Sequence, residues 1–177
     1  MDFICQDPTA LVRAANVKAT LDAFKLVPAI GTRIIEKHSL SVKALSPETF
    51  IPVQRWLDAM KEIQEIVGHA KLRDVGRNVV ENAEIPPSDV ESLLLNLDQV
   101  YYANHTGDVG HYLSRRMPDG AIEVHCETPY PRNFEWGLIE GFCTNKKATN
   151  GRRYATEFID GPKAGKRTCT VIVRRLG

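Results

Sequence analysis

Residues 105–144 read HTGDVGHYLSRRMPDGAIEVHCETPYPRNFEWGLIEGFCT, and this stretch decides the fold. From Val109 to Met117 apolar and polar residues alternate loosely. Asp119-Gly120 supplies the residues that tolerate the left-handed backbone of a tight hairpin. Ala121 to Glu127 is the returning strand, with Ile122, Val124 and Cys126 on one face and Glu123, His125 and Glu127 on the other. Pro129 and Pro131 end it. The period then changes: between Arg132 and Thr144, Phe134, Leu138, Ile139 and Phe142 recur at helical spacing. Two more strands are expected, Arg152 to Ile159 and Lys166 to Arg175, across a loop that runs from Gly161-Pro162 to Gly165. This half is therefore a four-stranded antiparallel sheet, strand-strand-helix-strand-strand, with one helix packed on it.

Upstream the periodicity is helical. Asp7 before Pro8 reads as a helix start, followed by Leu11, Val12, Ala15, Leu21 and Phe24. A second helix runs from near Pro28 to His38 with Ile30, Ile34 and Ile35 inward, and Ser46 to Thr49 is a turn. After Pro52 the stripe Val53, Trp56, Leu57, Met60, Ile63 and Val67 is the clearest amphipathic helix, stopped by Gly68. Another helix covers residues 70–82, and Pro86-Pro87 breaks the chain. Ser88 with Glu91 has capping-box spacing before Val90, Leu93, Leu94, Leu97 and Tyr101. Helices segregated from antiparallel strands define an α+β fold. The expected organisation is one domain over 1–177, with a helical half (1–104) and a sheet half (105–177).

Composition narrows the function. The 177 residues are 43% hydrophobic and 25% charged, with a formal net charge of +1, so no global field calls for nucleic acid or membrane. No apolar run approaches the roughly 20 residues of a membrane span, and the N-terminus lacks the pattern of a signal peptide. Cys5, Cys126, Cys143 and Cys169 are scattered without a CxxC pair, which reads as reduced thiols in a cytoplasmic protein.

Few residues suggest chemistry. Gly137 and Gly141 share a helix face, and a glycine inside a helix costs about 1 kcal/mol relative to alanine. They serve close packing or make room for a ligand. Trp136, Glu140 and Cys143 line another edge of the same helix. The five histidines, at 38, 69, 105, 111 and 125, form no zinc-binding spacing. His105 and His111 flank a glycine-containing loop, and His125 sits between Glu123 and Glu127 on what reads as a solvated face. No GxSxG, P-loop or GxGxxG occurs, so no catalytic residue is assigned. Cys126 and Cys169 read as buried, inert thiols. The basic C-terminal end (Arg152, Arg153, Lys163, Lys166, Arg167, Arg174 and Arg175) lacks interleaved aromatics and reads as a solvated face.

The stretch from Glu123 to Cys143, EVHCETPYPRNFEWGLIEGFC, resembles vinyl-reductase-type domains and, more distantly, H-NOX haem domains, in which a strand turns into a helix with a G-L-I-x-G core. Here that core is Gly137 to Gly141, and CTVIV (169–173) resembles the closing strand. The resemblance implies a non-catalytic sensory domain that encloses a small, mostly apolar ligand between helices and sheet. Some such domains hold zinc through a glutamate and cysteines near the last hairpin. Glu157 and Cys169 would fill two of those places, but Asp160 stands where a cysteine is expected and a fourth ligand is missing, so no metal is assigned. The haem version needs a proximal histidine, for which His105 is the candidate, and a Y-x-S-x-R motif. Tyr112, Ser114 and Arg116 have that spacing but lie one strand before the one expected to carry the motif.

The leading expectation is a ligand pocket walled by Trp56, Tyr101, Tyr112, Phe134, Trp136 and Phe142, with Gly137 and Gly141 giving room and Glu140 or His111 a polar contact. No cofactor is assigned to it. The alternatives are a haem-binding gas-sensor-like domain and an oligomer-forming module, a homodimer meeting through its sheet edge or basic end. An enzyme fits the residues least.

Overall fold

The computed structural model describes residues 3–23, 28–40, 46–81, 88–159 and 169–177. Phe24 and the side chain of Ile30, Pro86-Pro87, Asp160 and the 161–165 loop lie outside the described residues.

The sheet half has the expected order. Strands β4 (His111–Arg116) and β5 (Ile122–Glu127) form the hairpin, α7 (Arg132–Thr144) follows, and β6 (Arg153–Ile159) and β7 (Cys169–Leu176) complete an antiparallel sheet ordered β4-β5-β7-β6. The hairpin turn places Gly120 at φ 84°, and Met117 and Ala121 bond across it. The register sets Ile122 opposite Val173, Val124 opposite Val171 and Cys126 opposite Cys169, so the inner faces of β5 and β7 make one buried surface. Burying each aliphatic side chain there contributes roughly 1.5–3 kcal/mol. The outer face carries His125, bonded to Thr170 and Glu127, and an Arg115–Glu123 pair.

In the helical half, α2 (Pro28–Lys37), α3 (Val53–Val67) and α4 (His69–Glu81) match the periodicity. Trp56, Leu57, Met60 and Ile63 are buried along α3, and Gly68 ends it at φ 81°. A short helix, α8 (Lys146–Thr149), is capped by the side chain of Asn145.

Four expectations are corrected. The helix expected from Asp7 begins only at Ala14. Asp7 instead accepts from the Thr9 backbone, the Thr9 hydroxyl and the Asp108 backbone, and Leu11–Arg13 is a strand, β1. Helix α1 follows it over Ala14–Ala23. Strand β1 pairs with β2 (Phe50–Pro52) and with β3 (His105–Thr106), so the residues read as a loop at His105 are a strand in a second sheet, ordered β2-β1-β3. The expected Ser88 cap is Asp89, whose carboxylate takes the Ser92 N–H at 2.7 Å. The single helix through Tyr101 is two, α5 (Val90–Leu95) and α6 (Leu97–Tyr102), broken at Asn96; the side chain of Asn96 bonds back to the Ser92 carbonyl.

Helices α4 and α7 pack backbone to backbone. A β-carbon on Gly76 would lie 2.3 Å from the Phe134 carbonyl oxygen, and one on Gly137 would lie 2.1 Å from that of Arg73. Gly141 meets the Arg77 carbonyl and Val80 in the same way. The room left by the two α7 glycines is taken up by the α4 backbone.

Candidate functional site

The unusual chemistry of the molecule gathers where α6, β3, β4 and the start of α7 meet. Residue 105 reaches this junction because β3 pairs with β1, Val12 standing opposite His105. Its imidazole is buried, 6% exposed. Nδ1 lies 2.9 Å from the carbonyl oxygen of Tyr101. A carbonyl only accepts, so Nδ1 carries the proton and Nε2 presents its lone pair. That lone pair receives the hydroxyl of Tyr130 at 2.8 Å. The Tyr101 ring lies over the imidazole, with centroids 4.1 Å apart. Burial, opposed by the Tyr101 carbonyl bond, pulls the imidazole down to about 4. The ring is neutral at physiological pH.

Beside it lies a buried carboxyl. Glu135, in the first turn of α7, is 1% exposed. It accepts hydrogen bonds from the hydroxyls of Tyr112 on β4 and Thr128 just after β5. Burial pushes its carboxyl up to about 7, against the two hydroxyls, which favour the charged form. Burial also raises the phenols of Tyr101, Tyr112 and Tyr130, and the neighbouring Glu135 charge adds to each. The Tyr101 hydroxyl donates to the Val109 carbonyl at 2.8 Å, and its ring meets Tyr112 edge-on at 5.1 Å.

Of the residues expected at a ligand site, Tyr101, Tyr112 and Phe134 are brought together here, the Phe134 ring 6.1 Å from Tyr130. Trp136 and Glu140 form a different group. Arg73 from α4 makes two bonds to the Glu140 carboxylate, and its guanidinium carbon stands 3.2 Å from the centre of the Trp136 ring. Phe158 of β6 stacks on that indole at 4.8 Å, and Thr156 donates to Glu140 at 3.2 Å. Gly137 and Gly141 face α4. Trp56 is buried in α3 and Phe142 is buried on α7. His111 is exposed at the start of β4, 3.4 Å from the Tyr102 hydroxyl.

The Y-x-S-x-R residues diverge. Tyr112 is bound to Glu135, Arg116 pairs with Glu91 of α5 at 2.8 Å, and the Ser114 hydroxyl is buried with no hydrogen-bond partner among the described residues. Glu157 and Cys169 fall on opposite faces of the sheet, since Glu157 stands opposite Ile172 and Cys169 opposite Cys126. Among the described residues no group of three or more His, Cys, Asp or Glu gathers to hold a metal ion. A shallow groove of about 470 Å³ opens beside Leu95, Leu113, Arg115, Glu123 and His125.

Sequence reading missed Glu135, Thr128 and Tyr130. Glu135 had a signal: with Ile139 and Phe142 it falls at i, i+4 and i+7, and all three are buried on α7. Tyr130 had none, because its partner is 25 residues away.

No protein-family model and no curated protein sequence matches the chain. Solved structures do. An H-NOX protein from S. oneidensis in the Fe(II)NO ligation state has a TM-score of 0.67 at 11% identity, covering 93% of this chain and 99% of that one. An oxygen-binding H-NOX domain related to soluble guanylate cyclases gives 0.64 at 16% identity, covering 93% and 95%. A T. tengcongensis H-NOX variant gives 0.61 at 15%, covering 92% and 96%. Matches of this coverage at this identity establish architecture: the chain has the α+β fold of H-NOX domains.

Proposed function

We propose that this chain is a sensory, ligand-binding domain acting as one unit over 1–177, and that its ligand contact is made through His105. The observation that carries the reading is the state of that histidine. It is buried and neutral, and its Nδ1–H is fixed on a backbone carbonyl, so Nε2 carries the lone pair, which the Tyr130 hydroxyl meets in this structure. Metal-ligating histidines are commonly fixed this way, with the second nitrogen held by a carbonyl or carboxylate.

The fold adds the ligand class. The H-NOX structures that resemble the chain include NO-bound and oxygen-bound forms, and one concerns haem redox potential. His105 is the residue that would hold a haem iron, through Nε2. When bound, the haem iron would supply the position for a diatomic gas. The chain's own residues hold the imidazole tautomer through Tyr101 and keep water away with the Tyr101, Tyr130 and Phe134 rings. Reconstitution of the purified protein with hemin tests this reading. A Soret band that disappears in His105→Ala supports it, and a wild-type spectrum of free hemin alone ends it.

One observation favours a second reading, a small apolar molecule bound without iron. The Tyr130 hydroxyl already satisfies Nε2, and the surrounding walls are aromatic. Native mass spectrometry of the purified protein would reveal such a ligand as added mass, and bare polypeptide mass from every preparation would count against it. The four reduced cysteines suit a reducing cytoplasm. Among the described residues no helix is long and apolar enough to cross a membrane.

A further inference from the structure

Strand β6 ends the larger sheet, and among the described residues it pairs with β7 alone. We propose that its outer edge is the contact between two copies of this chain, paired antiparallel about a two-fold axis at Ala155, so that Arg153 of each copy stands opposite Glu157 of the other. The contact does not depend on any ligand at His105.

Sheet parity identifies the free groups. The Met117 N–H bonds to the Ala121 carbonyl at 2.8 Å, whereas the Tyr112 N–H points away from β5, to Asp98 at 2.9 Å. Odd-numbered residues of β4 and β5 therefore bond each other, and in an antiparallel ladder the alternate residues bond the strand on the other side. Ile122, Val124 and Cys126 thus bond β7, and Thr170, Ile172, Arg174 and Leu176 bond Ile159, Glu157, Ala155 and Arg153 of β6. The main-chain N–H and C=O groups of Tyr154, Thr156 and Phe158 are left pointing outward. Proline, lysine and bulges are common devices that keep an edge unpaired, and β6 has none of them.

Charge selects the occupant and the register. Arg153, Ala155 and Glu157 alternate along the exposed face of β6, and among the described residues neither charge has an ion-pair partner. The pattern Arg-x-Ala-x-Glu is complementary to its own reverse. With Ala155 on the axis, Tyr154 of each copy exchanges main-chain bonds with Thr156 of the other. Arg153 and Glu157 then fall at non-hydrogen-bonded positions, where facing side chains come closest, and the small Ala155 meets its own copy. Moving the axis to Thr156 sets Arg153 against Ile159 and loses both ion pairs. The pairing joins two four-stranded sheets into one, with α7 of both copies on the same side. A contact this narrow belongs to the weak, reversible class.

Sedimentation velocity over a concentration series tests the pairing in the wild-type chain, Arg153→Glu, Glu157→Arg and the double variant, each checked for native circular dichroism. Both residues are exposed, so the fold should tolerate all three. The wild type should dimerise below about 1 mM. Each single reversal sets like charges opposite each other twice and should weaken the dimer about tenfold or more, while the double variant restores opposite charges and should recover it. Ala155→Cys should form a disulfide-linked dimer on mild oxidation with copper phenanthroline, and Glu157→Cys, which faces Arg153, should not. A monomeric wild type throughout the series, or a dimer indifferent to both single reversals, overturns the proposal. Crosslinking through Glu157→Cys as fast as through Ala155→Cys overturns the register and the proposal with it.

Discussion

The carbonyl oxygen of Arg73 occupies the space that a side chain at Gly137 would need. A β-carbon there would stand 2.1 Å from it, well inside contact distance. The reciprocal contact, Gly76 against the Phe134 carbonyl at 2.3 Å, shows that both helices give up side chains to approach each other. Helix propensity alone would favour alanine by about 1 kcal/mol per site. Tertiary packing reverses that preference. Gly137→Ala is therefore expected to destabilise the fold by about 3 kcal/mol, at the upper end of overpacking costs. Urea denaturation measures it, and a midpoint at or above wild type would contradict the backbone contact.

The Glu135 carboxyl gives stability a pH dependence of unusual sign. Its folded value, about 7, is above the ordinary 4.5. The folded state thus holds a proton that the unfolded chain has released, and stability from this group is complete below pH 4.5 and lost as pH rises through 7. The size is on the order of 3 kcal/mol. Subtracting the stability of Glu135→Gln from that of wild type at each pH isolates the effect. The difference should fall steadily from pH 4.5 to 7.5, and a flat or rising difference would exclude a buried proton at this site.

Tyr112 and Thr128 are the two donors that keep Glu135 solvated inside the protein. Tyr112→Phe removes one donor without opening a cavity, and it should cost about 1–2 kcal/mol, more at pH 8 than at pH 5. Equal losses at the two pH values would mean that the hydroxyl does not favour the charged carboxylate.

Arg73 spans two helices with one side chain, bonded to Glu140 and lying on Trp136. The ion pair is partly shielded, with 33% and 14% of the two side chains exposed. Arg73→Ala should cost about 1–3 kcal/mol and alter Trp136 emission, while Arg73→Lys should recover only part of either because it loses the planar stack. Trp56, buried elsewhere, makes Trp56→Phe the background in which to read that emission. Full recovery by lysine would reduce the contact to charge alone.

None of the four cysteines is in a disulfide, and all four are buried. The Cys126 thiol is raised by its hydrogen bond with Cys169 and then by burial, and burial pushes the Cys143 thiol up to about 12. A thiol reagent at pH 8 should therefore label none of them in the native protein within minutes and all four in denaturant. Rapid native labelling of Cys126 or Cys169 would mean that the sheet opens locally.

Much of the sheet half was legible because its signals are local. The Asp119-Gly120 turn, the alternation of Ile122, Val124 and Cys126, and the period of Phe134, Leu138, Ile139 and Phe142 each need only neighbours in sequence. The β1-β2-β3 sheet was not, because three-residue strands carry almost no periodicity and Val12 must find both Ile51 and His105. Of the expected ligand residues, Tyr101, Tyr112 and Phe134 meet at the junction, while Trp136 and Glu140 are taken by Arg73, which no sequence spacing connects to them.

The Gly-Leu-Ile-Glu-Gly helix therefore divides the question cleanly. Sequence by itself determined that residues 132–144 form a helix packed on an antiparallel sheet, since the apolar period and the flanking prolines act within a few residues. Only the tertiary structure decided what its faces do. It set the glycines against the α4 backbone, sank Glu135 among hydroxyls and put Tyr130 on His105, because each of those outcomes depends on a partner that folding brings from a distant part of the chain.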